Sequence, residues 1–368
     1  MKLLILSCGT GQGHNSAARA LEEACRRRQI ECVTADPLSF GQKKTAHVVA
    51  ATYNGIIKNT PRAFGAIYKA GDLFSNTHLT SPVYYANTLY AKNLGAYITD
   101  NRFTAVICTH LFAMEALTKL RKDPRFTVPC YGVLTDYTCI PFLAETRLNG
   151  YFIPHEDQTE EMLEKGMPAD RLIPSGIPVR EAFTRRTDKA EARLRLGLPQ
   201  DRPLLLIMSG GVGCGPLTQL CRALLERQTA PFTACVLTGH NRTLKAEIDA
   251  RFGDTGCFRT VAFTDEVPLY MNAADVTVSK PGGLTSTEAA VARTPLVHLL
   301  AFSGCETRNA AFFAAHGLSL RAGNTEEAAD FAFTLVNQPA QAARMQEQQR
   351  QQLHGDAADR ILTEVTAS

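Results

Sequence analysis

KLLILSCGTGQGHNSAARALEEA, residues 2–24, reads as an apolar strand, a glycine turn and an amphipathic helix in immediate succession. The run Leu3–Leu6 predicts a buried strand. The glycines that follow let the backbone turn sharply and leave its N–H groups uncovered. We expect the helix to start after Asn15 and Ser16, with the positive end of its dipole directed at the turn. This order of elements predicts an α/β fold.

His14 is the side chain of this turn that titrates near neutral pH, next to Gly13. It lies where an anion could bind and where a general base would be useful. The spacing is not a Walker P-loop, because no Gly-Lys-Ser/Thr follows, and it fits the dinucleotide fingerprint poorly. Taken alone, the turn is also compatible with a tight connection that binds nothing.

Composition limits the class of protein. The chain has 368 residues, 45% of them apolar, which is enough for two domains. A net charge of +3 gives no support for a nucleic acid partner. The eleven cysteines show no C-x-x-C pair or zinc-type spacing, which favours a reduced, cytoplasmic setting. We see no signal peptide and no apolar run long enough to span a bilayer.

Strand-like runs alternate with helical segments and predict two doubly wound parallel sheets in tandem. We expect a first domain over residues 1–180, a second over 195–340 and a hinge near 176–200. Residues 341–368 predict a C-terminal helix that is either solvated or packed back on the first domain. The predicted strands are Lys2–Leu6, Glu31–Ala35, Ala105–Thr109, Cys130–Leu134, Gly150–Ile153, Leu172–Pro174, Leu204–Met208, Thr233–Leu237, Phe258–Ala262, Val276–Ser279, Pro295–Leu299 and Ser319–Ala322.

Residues 41–95 combine basic and aromatic side chains, with Asp72 as the single acid. This composition is typical of a surface that docks on anionic lipid headgroups. Two ordinary helices with their aromatic side chains in the core would explain it equally well. The basic residues that we assign to an acceptor or membrane surface are Lys43, Lys44, Lys58 and Arg62.

Three glycine-bearing turns follow strands in the second half, and in a doubly wound sheet such turns gather at the edge where ligands bind. Their bare N–H groups suit a diphosphate. Glu288, in the helix after the third turn, could bind the hydroxyls of a ribose, or it could be an acid favoured by the helix dipole. The turn residues are Ser209, Gly210, Gly211, Gly213, His240, Gly282, Gly283, Leu284 and Thr285.

Further segments accompany these turns in a specific order: ICTHLFAMEAL, TDYTCIPF, SGIPVREAF, SGGVGCGPL, VLTGHN, VSKPGGLTSTEA and GCETRNAAFF. In this order the chain resembles the monogalactosyldiacylglycerol synthase and processive diacylglycerol glucosyltransferase group of glycosyltransferase family 28. The resemblance implies the GT-B fold, in which two Rossmann-like domains face each other across a cleft. It also implies a UDP-sugar donor held mainly by the second domain and a lipid acceptor held by the first.

The resemblance also implies residue roles. Glu288 would bind the ribose and His14 would be the catalytic base, while His110 and Asp136 would face the acceptor. His110 could instead be a satisfied buried histidine, and Asp136 could cap a turn. Cys305 stands where the family usually has glutamine, so the donor sugar is left open. The remaining implied contacts are Glu306 and Asn309 to the sugar and Phe263 and Val267 near the uracil.

The expected reaction is inverting transfer of a hexose from the UDP-sugar to a lipid hydroxyl, most simply that of diacylglycerol. His14 would take the hydroxyl proton, and Asp136 could orient or charge-balance its ring. No Asp-x-Asp pair stands out, so the scheme requires no metal and no cofactor. The expected location is peripheral, on the cytoplasmic face of an anionic membrane. The alternatives are an isoprenoid-pyrophosphate acceptor, a sugar-nucleotide epimerase and a non-catalytic sensor.

Overall fold

The computed structural model describes residues 1–9, 12–41, 80–211, 213, 215–299 and 304–367. The basic residues assigned to a membrane surface, Lys43, Lys44, Lys58 and Arg62, lie outside the described residues. Within the described ranges, no helix combines the length and the apolar character needed to cross a bilayer.

The chain divides into two compact units. The first comprises Met1–Arg180 together with Asp356–Ser368, and the second comprises Glu181–Gly355. The division follows Arg180, within the segment expected to be a hinge. The second unit therefore includes residues 181–194, which the sequence analysis left between the two domains.

The first unit is built on a six-stranded parallel sheet, counted over its described residues. The strands are β1 Lys2–Leu6, β2 Glu31–Ala35, β3 Ala105–Cys108, β4 Cys130–Val133, β5 Gly150–Ile153 and β6 Leu172–Pro174. They lie in the order β2-β1-β3-β4-β5-β6. Apart from Lys2, the inner strands β1, β3, β4 and β5 are buried on both faces, as expected where helices cover both sides of a parallel sheet, whereas the edge strand β2 exposes Glu31 and Thr34.

Helices cover both faces of this sheet. α1 packs on one face through buried residues at helical spacing, among them Ala18, Leu21 and Cys25. α4 packs on the other face through residues such as Ala113 and Leu117. The helices are α1 Gln12–Arg27, α2 Pro82–Thr88, α3 Ala91–Asp100, α4 Leu111–Leu120 and α5 Thr159–Glu164, with 3-10 turns at Pro37–Phe40, Leu143–Glu145, Glu156–Gln158 and Ala169–Arg171.

The start of α1 differs from the sequence prediction. The helix begins at Gln12 rather than after Ser16, so His14 and Asn15 lie in its first turn. The hydroxyl of Ser7 donates a hydrogen bond of 2.7 Å to the Asn15 side chain, which ties this turn to the end of β1. His14 thus projects from a helix terminus rather than from the preceding turn.

The second unit contains a six-stranded parallel sheet in the order β12-β11-β10-β7-β8-β9, again over the described residues. The strands of this sheet are β7 Leu204–Met208, β8 Thr233–Gly239, β9 Phe258–Ala262, β10 Val276–Ser279, β11 Leu296–Leu299 and β12 Leu320–Ala322. The helices of this unit are α6 Glu181–Thr184, α7 Lys189–Arg195, α8 Leu217–Arg227, α9 Arg242–Phe252, α10 Val267–Ala273, α11 Gly283–Val291, α12 Cys305–Ala315, α13 Thr325–Asn337 and α14 Pro339–Gln352, with one 3-10 turn at Gly253–Thr255.

The C-terminal segment forms two helices where the sequence analysis expected one. α14 belongs to the second unit, where the buried Gln349 side chain donates to the carbonyls of Thr294 and Leu318. α15 Ala357–Ala367 belongs to the first unit and buries Ile361 and Leu362 against the same face of the sheet as α1. An ion pair of 2.6 Å between Arg27 and Asp359 joins α1 to α15 at the surface.

Both sheets reverse their strand order at one point, and this is where doubly wound folds bind ligands. In the first sheet β1 lies between β2 and β3, with Leu6 beside Cys108. In the second sheet β7 lies between β8 and β10, with Met208 beside Ser279. Among the predicted site residues, His14 and His110 follow the strands at the first switch point, and Ser209 and Gly282 follow those at the second. Others follow neighbouring strands, such as Asp136 after β4 and Phe263 after β9.

Candidate active site

His14 is fixed by the residues that follow β3 and β4. Its Nδ1 donates to the carbonyl of Thr109 at 2.7 Å and lies 3.1 Å from the hydroxyl of Thr135. The Thr109 hydroxyl in turn donates to the His14 carbonyl at 3.2 Å. Because a carbonyl can only accept, the ring proton is on Nδ1 and the lone pair is on Nε2. This tautomer is the one that a general base requires.

Two opposing influences set the pKa of His14. Burial lowers the pKa below its usual value near 6.5 and is the larger effect, while the Asp136 carboxylate and the bond to Thr109 raise it. Burial together with nearby His14 holds the pKa of His110 well below its usual value. Both rings are therefore neutral at physiological pH. Asp136 follows β4 directly after Thr135 and is only partly buried.

His110 lies at the start of α4 and contacts His14. The two ring centroids are 4.6 Å apart in an edge-to-face arrangement. The Nδ1 of His110 accepts the backbone N–H of Phe112 at 3.2 Å and so caps the helix. With Nδ1 engaged in this way, the His110 proton is on Nε2. The switch point of the first sheet thus gathers two histidines with different tautomers.

The second unit brings together the turns after β7 and β8. Gly239 has a φ of +59°, and a Cβ at this position would lie 2.6 Å from the Gly211 carbonyl oxygen, so only glycine permits the approach. The Asn241 side chain donates to the Gly213 carbonyl at 2.7 Å. These turns therefore pack directly against each other, and part of their glycine content serves that contact.

Two stacked aromatic rings lie near the turns after β8 and β9. The rings of His240 and Phe263 stack with centroids 4.4 Å apart and planes inclined by 10°. Phe263 remains 44% exposed, which is unusual for a phenylalanine. Val267 lies nearby in sequence at the start of α10. A planar exposed ring of this kind suits a nucleobase.

The turn after β10 leads into α11 and contacts the start of α12. Lys280 Nζ forms an ion pair of 2.6 Å with Glu306 Oε1. Asn309 is fully buried and donates to the Pro281 carbonyl at 3.0 Å. Glu288 is 6% exposed on α11. The third glycine turn and the GCETRNA segment are thus joined by side chains, as two parts of one site would be.

Two family models match the chain, and the matches divide close to the boundary between the units. The model described as monogalactosyldiacylglycerol (MGDG) synthase matches residues 14–179. The model described as the glycosyltransferase family 28 C-terminal domain matches residues 204–361. Together the two matches cover most of the chain, and the second assigns residues 204–361 to glycosyltransferase family 28. The chain is a glycosyltransferase.

Curated relatives of this family 28 chain are similar over most of their length. A processive diacylglycerol beta-glucosyltransferase of Bacillus cytotoxicus is 27% identical over 327 residues, covering 87% of this chain and 81% of that protein. The protein of the same name from Bacillus anthracis is 24% identical over 374 residues, covering 100% of this chain and 93% of that protein. The family resemblance found in the sequence is confirmed.

Solved structures show the same fold for this family 28 chain. MurG of Acinetobacter baumannii aligns with a TM-score of 0.65 at 14% identity, covering 100% of this chain and 99% of that one. Anabaena Alr3699/HepE in complex with UDP-glucose aligns with a TM-score of 0.61 at 12% identity, covering 100% of this chain and 99% of that one. The predicted GT-B fold is confirmed.

Within each unit the structure brings several of the predicted site residues together. In the first unit His14 and His110 meet at the switch point with Asp136 after the neighbouring strand β4, and in the second unit the turn after β10 contacts Glu306 and Asn309. Sequence reasoning missed Thr109 and Thr135, because threonines after strands are too common to stand out. It also assigned no role to Lys280, although a lysine within a glycine-rich turn at a sheet edge is a recognisable sign of a binding-site residue.

Proposed function

We propose that this family 28 glycosyltransferase moves a hexose from a UDP-sugar to diacylglycerol and forms a β-glycosyl lipid. The observation that carries the proposal is the anchored tautomer of His14, whose Nδ1–H donates to the Thr109 carbonyl and leaves Nε2 as a base. A lipid hydroxyl is a poor nucleophile until its proton is removed, and a positioned base typically contributes about 10²–10⁴-fold. The names of the Bacillus relatives support diacylglycerol as the acceptor.

His14 takes the proton of the lipid hydroxyl on Nε2 as the oxygen attacks the anomeric carbon of the sugar. The bond from that carbon to the diphosphate oxygen breaks, and UDP leaves. The imidazolium that forms is stabilised by the Asp136 carboxylate, which favours the charged ring. Attack opposite the leaving group inverts the anomeric centre.

The second unit holds the UDP-sugar in this proposal. Backbone N–H groups of Gly283, Leu284 and Thr285, at the N-terminus of α11, stabilise the leaving diphosphate, while the N–H of Gly282 donates to the Lys280 carbonyl and shapes the turn. Glu288 binds the ribose, and Phe263 offers its exposed face to the uracil. Glu306 and Asn309 bind the sugar hydroxyls. With these groups on the diphosphate, the reaction proceeds without a divalent metal ion.

An anionic membrane surface supplies the acceptor. Tyr85 and Leu89 lie near the end of the basic and aromatic segment, residues 41–95, and are 62% and 74% exposed, although both are large apolar side chains. Lys92 is exposed on the following helix. Aromatic and basic side chains side by side are suited to the headgroup region of a bilayer. The protein therefore works as a peripheral enzyme at the cytoplasmic face.

Transfer from labelled UDP-glucose, UDP-galactose and UDP-N-acetylglucosamine tests the proposal, with diacylglycerol in anionic vesicles as acceptor and mass spectrometry of the lipids as readout. We expect a glycosylated diacylglycerol with one of the donors, and its mass identifies the sugar class and the number of additions. UDP binding without any diacylglycerol product, or a product only with an isoprenoid-pyrophosphate acceptor, would overturn it.

A further inference from the structure

Lys280 lies at the switch point of the second sheet and contacts three segments. It follows β10 in the turn that leads into α11. A Cβ at Gly210, which has a φ of +73°, would lie 3.1 Å from Lys280 Cε, so the lysine stem crosses the turn after β7 at close range. Its ammonium group is 2.6 Å from Glu306 Oε1, in the first turn of α12. One side chain thus connects all three segments.

The contact with Lys280 engages only one of the two carboxylate oxygens of Glu306. Glu306 is 9% exposed, and its Oε2 is buried without a hydrogen-bond partner in the described part of the chain. A buried carboxylate oxygen can only accept, and leaving it unpaired costs free energy. A hydroxyl group is the simplest donor that would satisfy it. The arrangement is that of a carboxylate with one oxygen fixed by the protein and one reserved for a ligand.

We infer that Lys280 is a positioning residue for the donor sugar, which fixes Glu306 Oε1 so that Oε2 accepts a hydroxyl of the hexose. The inference rests on the proposed function, because it takes the ligand to be a UDP-hexose. The effect of Lys280 is exerted through Glu306 and is therefore felt by UDP-hexose but not by UDP.

Isothermal titration of the full chain with UDP and with UDP-glucose, without acceptor, separates this role from direct diphosphate binding. For Lys280→Met we expect UDP-glucose affinity to fall about tenfold, the loss expected for one charge-assisted hydrogen bond. UDP affinity should stay within about twofold of wild type, the usual spread for uncoupled sites. Lys280→Arg should recover part of the loss. In transfer assays the change should fall on KM for the donor rather than on kcat.

A double-mutant cycle with Glu306→Gln tests whether Lys280 acts through Glu306. The double variant should bind UDP-glucose within about twofold of Glu306→Gln alone. Equal loss of UDP and UDP-glucose affinity, additive losses in the cycle or no loss at all would each overturn the inference. Comparing Glu306→Gln with the double variant keeps the test valid if Lys280→Met fails to fold, because neither of these two carries an unpaired carboxylate.

Lys245→Met is the matched control. Lys245 makes an ion pair of the same 2.6 Å length with Asp249 on the surface of α9, so its removal tests general effects of losing a lysine. It should leave both affinities unchanged. A wild-type protein that binds UDP-glucose as described but glycosylates no lipid would contradict the proposed function while leaving the Lys280 inference in place. A wild-type protein that binds no UDP-sugar would overturn both.

Discussion

At the scale of single residues, the proposed role of His14 depends on three neighbours that are far from it in sequence. Thr109 and Thr135 fix the tautomer, and Asp136 acts on the charge of the ring. The sequence identified the histidine because it stands in a glycine-rich turn. It could not identify the threonines, because only the order of strands β1, β3 and β4 brings them to the same edge.

The pH dependence of turnover tests His14 as the base. Because burial lowers its pKa below 6.5, kcat/KM should fall only at pH values below 6.5. Asp136 raises that pKa, so Asp136→Asn should move the acid limb to still lower pH. His14→Gln should lower kcat by about 10²–10⁴-fold and leave UDP affinity nearly unchanged.

His354→Gln provides the control for these profiles, because His354 is exposed and outside the proposed sites. Its profile should overlay that of the wild type. An acid limb that stays in place or moves to higher pH in Asp136→Asn would contradict the assignment, as would full turnover by His14→Gln.

The proposed contact of Glu288 with the ribose can also be tested with a single substitution. If it binds the ribose hydroxyls, Glu288→Gln should weaken UDP binding by about 1–3 kcal/mol through the loss of charge-assisted hydrogen bonds. Calorimetry with UDP measures this directly. Glutamine keeps the shape of a side chain that is 6% exposed, so a melting curve close to that of the wild type should accompany the loss. Unchanged UDP affinity would remove Glu288 from the site.

At the scale of elements, all twelve strands predicted from the sequence are present, with ends that differ by at most two residues. Apolar runs bounded by turns identify buried parallel strands well. The helix ends were predicted less well, since α1 starts before His14 and the tail forms α14 and α15. Such ends depend on tertiary contacts, as in the bond from Ser7 to Asn15.

The contact between α2 and α4 contains a buried carboxyl group. Glu115 of α4 is fully buried and accepts a hydrogen bond from Asn87 of α2, and the partly buried Glu145 lies close enough to affect its pKa. Glu145 in turn accepts from the backbone and the hydroxyl of Ser81, which caps α2. Burial, and to a lesser extent Glu145, raises the pKa of Glu115 to about 9, so its carboxyl group is protonated at neutral pH.

This arrangement predicts the pH dependence of stability. Between pH 4.5, the usual pKa, and about 9 the folded state binds one more proton than the unfolded state. Stability should therefore fall as pH rises through this range, by up to about 1.4 kcal/mol per pH unit. Glu115→Gln removes this contribution. The melting temperature of the variant should exceed that of the wild type at pH 8, and the difference should be much smaller at pH 5.

Thermal melts at both pH values compare Glu115→Gln with Glu164→Gln, an exposed glutamate at the end of α5. The Glu164 variant should melt like the wild type. If Glu115→Gln changed the melting temperature by the same amount at pH 5 and pH 8, the contribution of Glu115 would not depend on pH, and its pKa would not be raised as argued.

At the scale of the whole molecule, two doubly wound sheets place the predicted site residues after strands at or near their switch points. The sequence predicted both sheets because strands and helices alternate regularly. It did not predict the pairing of Lys280 with Glu306, because 26 residues separate them and no spacing rule links a glycine turn to the start of another helix.

Association with anionic vesicles tests the peripheral role. Flotation of the full chain with phosphatidylglycerol-rich vesicles should recover the protein in the lipid fraction, and Lys43→Ala combined with Lys44→Ala should reduce that fraction, since each basic group contributes about 1 kcal/mol near such a surface. The control variant Arg344→Ala with Arg350→Ala removes the same charge from α14 and should leave the lipid-bound fraction unchanged. Equal recovery of all three proteins, or no recovery of any, would contradict the role.

The configuration of the product tests the central claim most directly. Wild-type protein is incubated with a UDP-hexose whose sugar is α-linked to the diphosphate, together with diacylglycerol and excess EDTA. The glycolipid is then isolated for proton NMR of its anomeric signal. We predict a β-glycosyl diacylglycerol, formed without metal and lost in His14→Gln. An α-glycoside, or no lipid product with any of the three UDP-sugars, would contradict transfer by direct displacement with His14 as the base.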